Sequence, residues 1–361
     1  MRALKLTIRL LLSLGVSALL MWLSLRNADL RAVGRAIADA DPWRMAGFAA
    51  ILLCIHLVRT VRWGILLEPL GHVGFKRLNS ASAVGFMMLI LLPFRLGEFA
   101  RPLLIARPPP GGGGASLRRS GAFASIVVER IVDGLVIGLL GIAALRMLGA
   151  GASGRYADFA RHASVLVALG FLALCVAVLA AFFLRDRALQ LASAVLRPFS
   201  PRLGQRASSM LDGFISALHL GSGWKAFAFF ALTAAYWTLN GFGLALLAPA
   251  FGFHLAPLMV ATILAVQVLG VMVPAGPGMI GTMQFFTQAG LSLFVPDAFT
   301  RGSPVAAHAA GYANALWLVN FGVQVGLGLV FMLLGHVSLR GLLQPSPESA
   351  SESDLPAAAS P

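Results

Sequence analysis

Six apolar runs of membrane-spanning length constrain the fold of this chain more than any other feature of its sequence. They lie near residues 6–25, 44–67, 122–148, 163–184, 225–249 and 305–335. A helix that crosses a bilayer needs about 20 mainly apolar residues. Only 12% of the 361 residues are charged, whereas soluble domains carry about 25%. The pattern predicts an all-α, polytopic integral membrane helix bundle with about six full spans.

Two further apolar stretches are interrupted by glycine and proline. Residues 79–105 contain the break "PFRLGE", and residues 257–296 contain "VPAGPGMIG". Non-helical backbone at membrane depth is tolerated only where protein or a water-filled cavity surrounds it. Paired interruptions in the two halves of a transporter point to its binding site. We therefore predict two re-entrant (broken-helix) hairpins that enter from opposite faces and meet near the membrane midplane.

The basic residues favour this topology. The formal net charge is +14. If both broken segments return to their own side, fifteen Lys and Arg residues face the cytoplasm and seven face outward, in agreement with the positive-inside rule. We predict a multi-pass membrane protein with cytoplasmic N- and C-termini. Residues 1–340 form its membrane domain, 185–223 a basic amphipathic segment on the inner leaflet, and 341–361 a disordered tail.

Ionisable residues recur inside these apolar stretches. They are Arg59 and Arg62 in the second helix, Arg95, Glu98 and Arg101 around the first break, and Glu129, Arg130 and Asp133 in the fourth helix. Ionised groups at membrane depth cost a few kcal/mol each, so we expect them to meet one another. Three other readings stay open. Arg59 and Arg62 could snorkel to an interface, the charges around the first break could be solvated on a cytoplasmic hairpin, and Glu129 and Asp133 could take part in structural ion pairs that lock helices together.

Taken together, the cluster carries two positive charges in surplus, which calls for an anionic ligand. Arginine suits the bidentate recognition of phosphate, so the headgroup of an anionic phospholipid or polyprenyl phosphate is the predicted ligand. The turn at 274–281 offers a second anion site. Backbone N–H groups before a helix bind anions, and Gly276, Gly278 and Gly281 would allow close approach. The alternative for this turn is a simple hinge.

Several other classes of site find no support in the sequence. The seven histidines are scattered, without the spacing of a metal site, and no hydrolase or protease signature occurs. We predict no catalytic residue, no metal and no cofactor. A nucleic-acid partner would require a clustered basic domain, which we do not find. One face of the last helix is interpreted as a packing surface with amide hydrogen bonds; it carries Asn314, Trp317, Asn320, Phe321 and Gln324.

The motifs "RTVRW", "LLPFRLGEFARPLLIAR", "SIVVERIVDG" and "VPAGPGMIGTMQ" occur in this order. In this respect the chain resembles the transmembrane region of lysylphosphatidylglycerol synthases, the flippase-like membrane family. The resemblance covers roughly residues 5–335. It implies a multi-pass protein of the cell inner (plasma) membrane that translocates lipids between leaflets or acts in lipid-linked sugar pathways. The family's recurring polar positions are then taken by Arg95, Gly97, Glu98, Arg101, Glu129, Arg130 and Asp133. Gln284 takes the place of a family glutamate and is predicted, with the glycines of its turn, to contact the headgroup.

The resulting hypothesis is a flippase-like protein that binds an anionic lipid headgroup in a buried site and helps the lipid cross the membrane. The resemblance does not extend to an aminoacyl-transferase domain, so we do not expect transferase activity. One alternative is an intramembrane enzyme or accessory protein in lipid-linked glycan or aminoacyl-lipid metabolism, with Glu129 and Asp133 as acid and base. Another is a structural membrane partner. The oligomeric state, including a homo-oligomer, stays open.

Overall fold

The computed structural model describes residues 2–106, 117, 119–148, 183–196, 222–272 and 276–334, together with isolated positions between 162 and 215. In these ranges the regular structure is helical, and no strand occurs in them. The helices are α1 (Arg2–Leu25), α2 (Leu30–Ala38), α3 (Pro42–Leu67), α4 (Phe75–Leu91), α5 (Ala100–Ala106), α6 (Arg119–Leu148), α7 (Arg185–Leu196), α8 (Gly223–Leu247), α9 (Pro257–Val271), α10 (Thr282–Leu291) and α11 (Pro304–Leu333). For the described residues, the all-helical prediction is confirmed.

Three helical segments are long and apolar enough to cross a membrane. They are Pro42–Leu70, Gly223–Phe251 and Pro304–Leu333. A fourth crossing results if Leu11–Leu25 and Leu30–Ala38, which meet at 83°, form one bent span. The described residues therefore make up a helical, multi-pass membrane protein. The larger number of six full spans stays a prediction, since the apolar run 163–184 lies largely outside the described residues.

The first break lies between α4 and α5, where the sequence predicts it. α4 gives way to the 3₁₀ turn Pro93–Phe99, after which α5 begins. The proline that opens this turn lacks the N–H group that a continuing helix requires. α5 then packs back along α4, so that Arg101 lies against Gly85 and Gly97 lies against the backbone of Leu89. The two limbs thus form a tight antiparallel hairpin.

The close approach at Gly97 leads to a first prediction. Gly97→Ala is expected to destabilise the hairpin, because a β-carbon at this position would overlap the backbone of Leu89, and overpacking of this kind costs about 1–3 kcal/mol. The thermal unfolding midpoint of the purified protein in detergent should therefore fall. Gly322→Ala is the matched control, since nothing lies within 4 Å of the position of its β-carbon and alanine favours helix. An equal loss of stability in the control would contradict the prediction.

The second broken segment also folds back on itself. Gly270 of α9 lies against Phe286 of α10, and Gln267 Nε2 donates a hydrogen bond of 2.8 Å to Thr287 Oγ1. The 3₁₀ turn Pro277–Met279 precedes α10 and contacts the turn of the first hairpin. The turns of the two hairpins therefore contact each other. The membrane face from which each one enters stays a prediction.

The largest apolar core joins α3, α8, α9 and α11. Phe48, Leu244, Ile263 and Leu316, one from each helix, are buried in it. Tyr312 of α11 donates its hydroxyl hydrogen to the Leu244 carbonyl at 2.8 Å. Because lipid tails are as apolar as these side chains, close packing and such hydrogen bonds hold membrane helices together. Together with α4 and α6, these four helices supply most of the lining of a partly open cavity in the described part of the protein.

Residues 185–223 are described in part. α7 covers Arg185–Leu196 and exposes the apolar side chains of Leu191 and Val195. Most of residues 197–221 lies outside the described residues. The segment thus begins with a helix, and its amphipathic character and its position on the inner leaflet stay predictions. The tail predicted at 341–361 lies wholly outside the described residues.

Candidate functional site

The acidic stripe of α6 encloses a guanidinium group from α3. Arg62 Nη1 donates to Asp133 Oδ1 at 2.6 Å, and Arg62 Nη2 donates to Asp133 Oδ2 at 2.9 Å and to Glu129 Oε1 at 2.8 Å. The two acids are four residues apart and so share one helix face, where they match the fork of one guanidinium. The side chains of Arg62 and Glu129 are fully buried. Ions from separate helices therefore converge here.

Glu129 also joins α5 to this cluster. Glu129 Oε2 accepts a hydrogen bond from Arg101 Nη1 at 3.0 Å. Arg130 Nη2 lies 3.5 Å from Glu129 Oε1 and 3.6 Å from Asp133 Oδ2. We call Arg62, Arg101, Glu129, Arg130 and Asp133 the ion network. Separating these helices would leave buried charges without their partners, which is energetically costly. The network therefore favours one relative arrangement of α3, α5 and α6.

Aromatic rings pack against the ion network. Trp63 is fully buried and donates a hydrogen bond from Nε1 to Ser125 Oγ at 2.9 Å. The Arg101 guanidinium lies 4.3 Å from the centre of the Trp63 ring and 4.5 Å from that of Phe86. Desolvated cation–π contacts contribute up to about 2 kcal/mol. These rings therefore stabilise the guanidinium at a place that water does not reach.

A cavity of about 450 Å³ lies beside the ion network, which is large enough for a small-molecule headgroup. Part of its lining is charged or titratable, and we call this part the arginine wall: His56, Arg59, Glu98, Arg130 and Asp133. Helices α8, α9 and α11 contribute neutral amides, which we call the amide wall: Asn240, Gln267, Asn320 and Gln324. The rest of the lining is mainly apolar and aromatic.

Arg59 differs from the other arginines of the site. Only 9% of its surface is exposed, and no carboxylate in the described part of the chain forms an ion pair with it. Like the Nε atoms of Arg62, Arg101 and Arg130, its Nε has no hydrogen-bond partner among the described residues. Its guanidinium lies 3.6 Å from the centre of the Phe86 ring and 5.6 Å from that of Tyr236. A buried cation without a counter-ion is costly, and this one lines the cavity.

The sequence matches the family model described as the lysylphosphatidylglycerol synthase transmembrane region over residues 10–317. The chain belongs to this family. The match covers the whole ion network and the arginine wall, and it ends before Asn320 and Gln324 of the amide wall. No curated protein and no solved structure matches the chain. Family membership makes it a membrane protein connected with lipids.

In this family member, the ionisable residues predicted to bind a headgroup differ in whether they line the cavity. Four line the cavity: Arg59, Glu98, Arg130 and Asp133. Three belong to the ion network and are absent from the described cavity lining: Arg62, Arg101 and Glu129. Arg95 belongs to the turn of the first hairpin, and its side chain lies outside the described residues. The structural reading left open from the sequence thus fits Glu129 and Asp133, which pair with Arg62, whereas Arg59 lines the cavity without a carboxylate partner among the described residues.

The glycine-rich turn has its own contacts within the protein. The Gly276 N–H donates to Ser17 Oγ at 2.8 Å, and the Gly281 N–H donates to Gln284 Oε1 at 2.9 Å. Gly278 adopts φ of +79°, and its carbonyl accepts a hydrogen bond from an α11 tryptophan. None of these four predicted residues belongs to the described cavity lining. Their role in headgroup binding stays a prediction, and the contacts shown are those of a turn packed on α1 and α11.

Sequence reasoning missed the part of the lining that comes from α8 and α9. Tyr236, Trp237 and Asn240 of α8 line the cavity, as does Gln267 of α9. A signal was available, because Tyr236 and Asn240 are four residues apart on an otherwise apolar helix and so share a face. Among the described residues, no three His, Cys, Asp or Glu side chains lie together so that they could bind a metal ion.

Proposed function

We propose that this protein moves an anionic lipid across the membrane and binds its headgroup phosphate in the cavity. The observation that carries the proposal is Arg59, a buried guanidinium that lines the cavity without a carboxylate partner among the described residues. A phosphate would supply the missing counter-ion and acceptor atoms. Arginine is the side chain best suited to such recognition, since its planar fork matches two phosphate oxygens.

The charges of the described site support an anionic ligand. The guanidinium groups of Arg59, Arg62, Arg101 and Arg130 outnumber by one the carboxylates of Glu98, Glu129 and Asp133. Asp133 of the arginine wall pairs with Arg62, and Arg59 forms no ion pair with a described carboxylate, so Arg59 is the guanidinium of the wall that lacks a counter-ion. We assign phosphate contact to Arg59, assisted by Arg130, and a positioning role to Arg62, Arg101 and Glu129. Arg95 keeps its predicted role as an additional phosphate ligand.

We include the predicted membrane topology of the chain in this proposal. Six full spans and two re-entrant hairpins, with both termini on the cytoplasmic side of the cell inner membrane, would place the meeting hairpin tips near the midplane. α7 would then lie on the inner leaflet, where its arginines are attracted to anionic lipids. The contact between the two turns supports this arrangement, because broken segments from the two halves of transporters meet at their substrate sites.

Reconstitution tests the proposal directly. Full-length protein in liposomes that contain acyl-labelled fluorescent phosphatidic acid is treated with a membrane-impermeant quencher. We expect quenching to proceed beyond the outer-leaflet fraction, whereas protein-free liposomes should stop there. Mass spectrometry of the recovered lipid then separates transport from chemistry. Unchanged lipid with rapid exchange supports translocation, and a covalently altered lipid would favour the intramembrane enzyme. Exchange no faster than in empty liposomes would contradict the proposal.

A further inference from the structure

The amide wall has no task in the phosphate site described above. Its four side chains come from three helices, α8, α9 and α11, and converge on one cavity. Buried amides in a membrane protein are costly unless they form hydrogen bonds. Some of their N–H groups are used internally: Gln324 Nε2 donates to Asn320 Oδ1 at 2.7 Å, and Gln267 Nε2 donates to Thr287. Other groups of this wall remain available.

Two polar atoms of the cavity lining on these helices lack partners among the described residues. Gln324 Oε1 is a buried acceptor without a donor, and Trp237 Nε1 is a buried donor without an acceptor. Both residues line the cavity. Buried polar groups in native proteins are nearly always hydrogen-bonded to protein, water or a ligand. This side of the cavity therefore offers both a donor and an acceptor to a ligand.

The same side carries no charge. In the described lining, the residues from α8, α9 and α11 include no Asp, Glu, Lys or Arg. An ammonium group placed there would be buried without a carboxylate, which is strongly unfavourable. A hydroxyl group fits better, because it both donates and accepts hydrogen bonds while remaining neutral. The carboxylates of the cavity lining, Glu98 and Asp133, belong to the arginine wall.

We infer that the ligand is a phosphate ester whose headgroup carries uncharged hydroxyl groups, with the phosphate at Arg59 and the hydroxyls on the amide wall. This inference rests on the proposed function and adds the class of lipid to it. A polyol or sugar headgroup meets the requirement. A headgroup that ends in an amine does not, because the neutral wall offers its ammonium no counter-ion.

Binding of short-chain lipids to the full-length protein in detergent tests the inference by calorimetry. Dioctanoyl phosphatidic acid is the reference probe, since its headgroup is the phosphate alone. Dioctanoyl phosphatidylglycerol and dioctanoyl phosphatidylinositol add hydroxyl groups to the phosphate. Dioctanoyl phosphatidylethanolamine adds an amine. We expect whichever of phosphatidylglycerol and phosphatidylinositol binds more tightly to bind about tenfold more tightly than phosphatidic acid, because one or two added hydrogen bonds would produce this difference.

Gln324→Leu and Trp237→Phe should lose this preference while still binding phosphatidic acid. Trp224→Phe, a change at a 73% exposed tryptophan, is the matched control and should keep it.

The outcomes separate the inference from the proposed function. If phosphatidic acid binds and the hydroxylated lipids gain nothing, or the amine-bearing lipid binds best, the hydroxyl inference is wrong while the phosphate site stands. If none of the anionic lipids binds, both fail. Free inositol 1-phosphate is the remaining probe. Binding as tight as that of the corresponding lipid would assign the site to a soluble phosphate ester and overturn the lipid as its source.

Discussion

Arg59→Gln is expected to reduce lipid translocation and headgroup binding by about 10- to 100-fold, while the protein remains folded. A charge-assisted hydrogen bond contributes about 1.5–3 kcal/mol, which corresponds to this range of affinity. The fold should tolerate the change, because Arg59 has no ion pair to lose in the described structure. Loss of its contact with Phe86 is offset by removal of an uncompensated buried charge. The thermal unfolding midpoint should stay constant or rise.

Arg44→Gln is the control for this experiment. Arg44 lies on the same helix, but its side chain is 38% exposed and pairs with Asp41 at 3.5 Å, away from the cavity. Translocation by this variant should equal that of the wild type. Arg59→Lys keeps the charge without the planar fork, so an intermediate rate is expected. A normal rate in Arg59→Gln would refute the assignment of phosphate contact to this residue.

Glu129→Gln, in contrast to Arg59→Gln, is expected to lower the stability of the folded protein. Its carboxylate accepts from Arg62 and Arg101 and lies close to Arg130, so neutralising it leaves buried guanidinium groups without sufficient counter-charge. Breaking a buried pair from one side costs about 3–5 kcal/mol. We expect a large fall in the thermal unfolding midpoint and poor recovery of monodisperse protein. Loss of translocation would follow from loss of the fold.

Two further variants identify the cause of this effect. Glu68→Gln removes an exposed ion pair, since Glu68 pairs with Lys225 at 2.8 Å with both side chains more than a third exposed; the expected cost is below about 1 kcal/mol. Combining Glu129→Gln with Arg101→Gln removes one stranded charge together with its partner and should recover part of the lost stability. A Glu129→Gln protein that melts as the wild type does but no longer transports would show that Glu129 acts on the ligand instead.

Local sequence patterns predicted the parts of this molecule that depend on one helix at a time. The breaks at Pro93–Phe99 and before α10 follow from proline and glycine, whose backbone preferences act wherever the residue stands. The acidic stripe of Glu129 and Asp133 follows from the helical repeat, and the need for cationic partners follows from the cost of charge in hydrocarbon. The family resemblance, confirmed over residues 10–317, could be recognised from the order of these motifs.

The sequence by itself therefore determined that this is a helical membrane protein with two broken segments and a set of buried ions that must pair. Only the tertiary structure decided which ions pair: Arg62 and Arg101 lie in the ion network, whereas Arg59, on the same helix as Arg62, lines the cavity without a carboxylate. The periodicity of a helix shows which residues share a face, but not which neighbouring helix that face meets. That pairing, like the convergence of four amides from α8, α9 and α11, depends on how the helices pack.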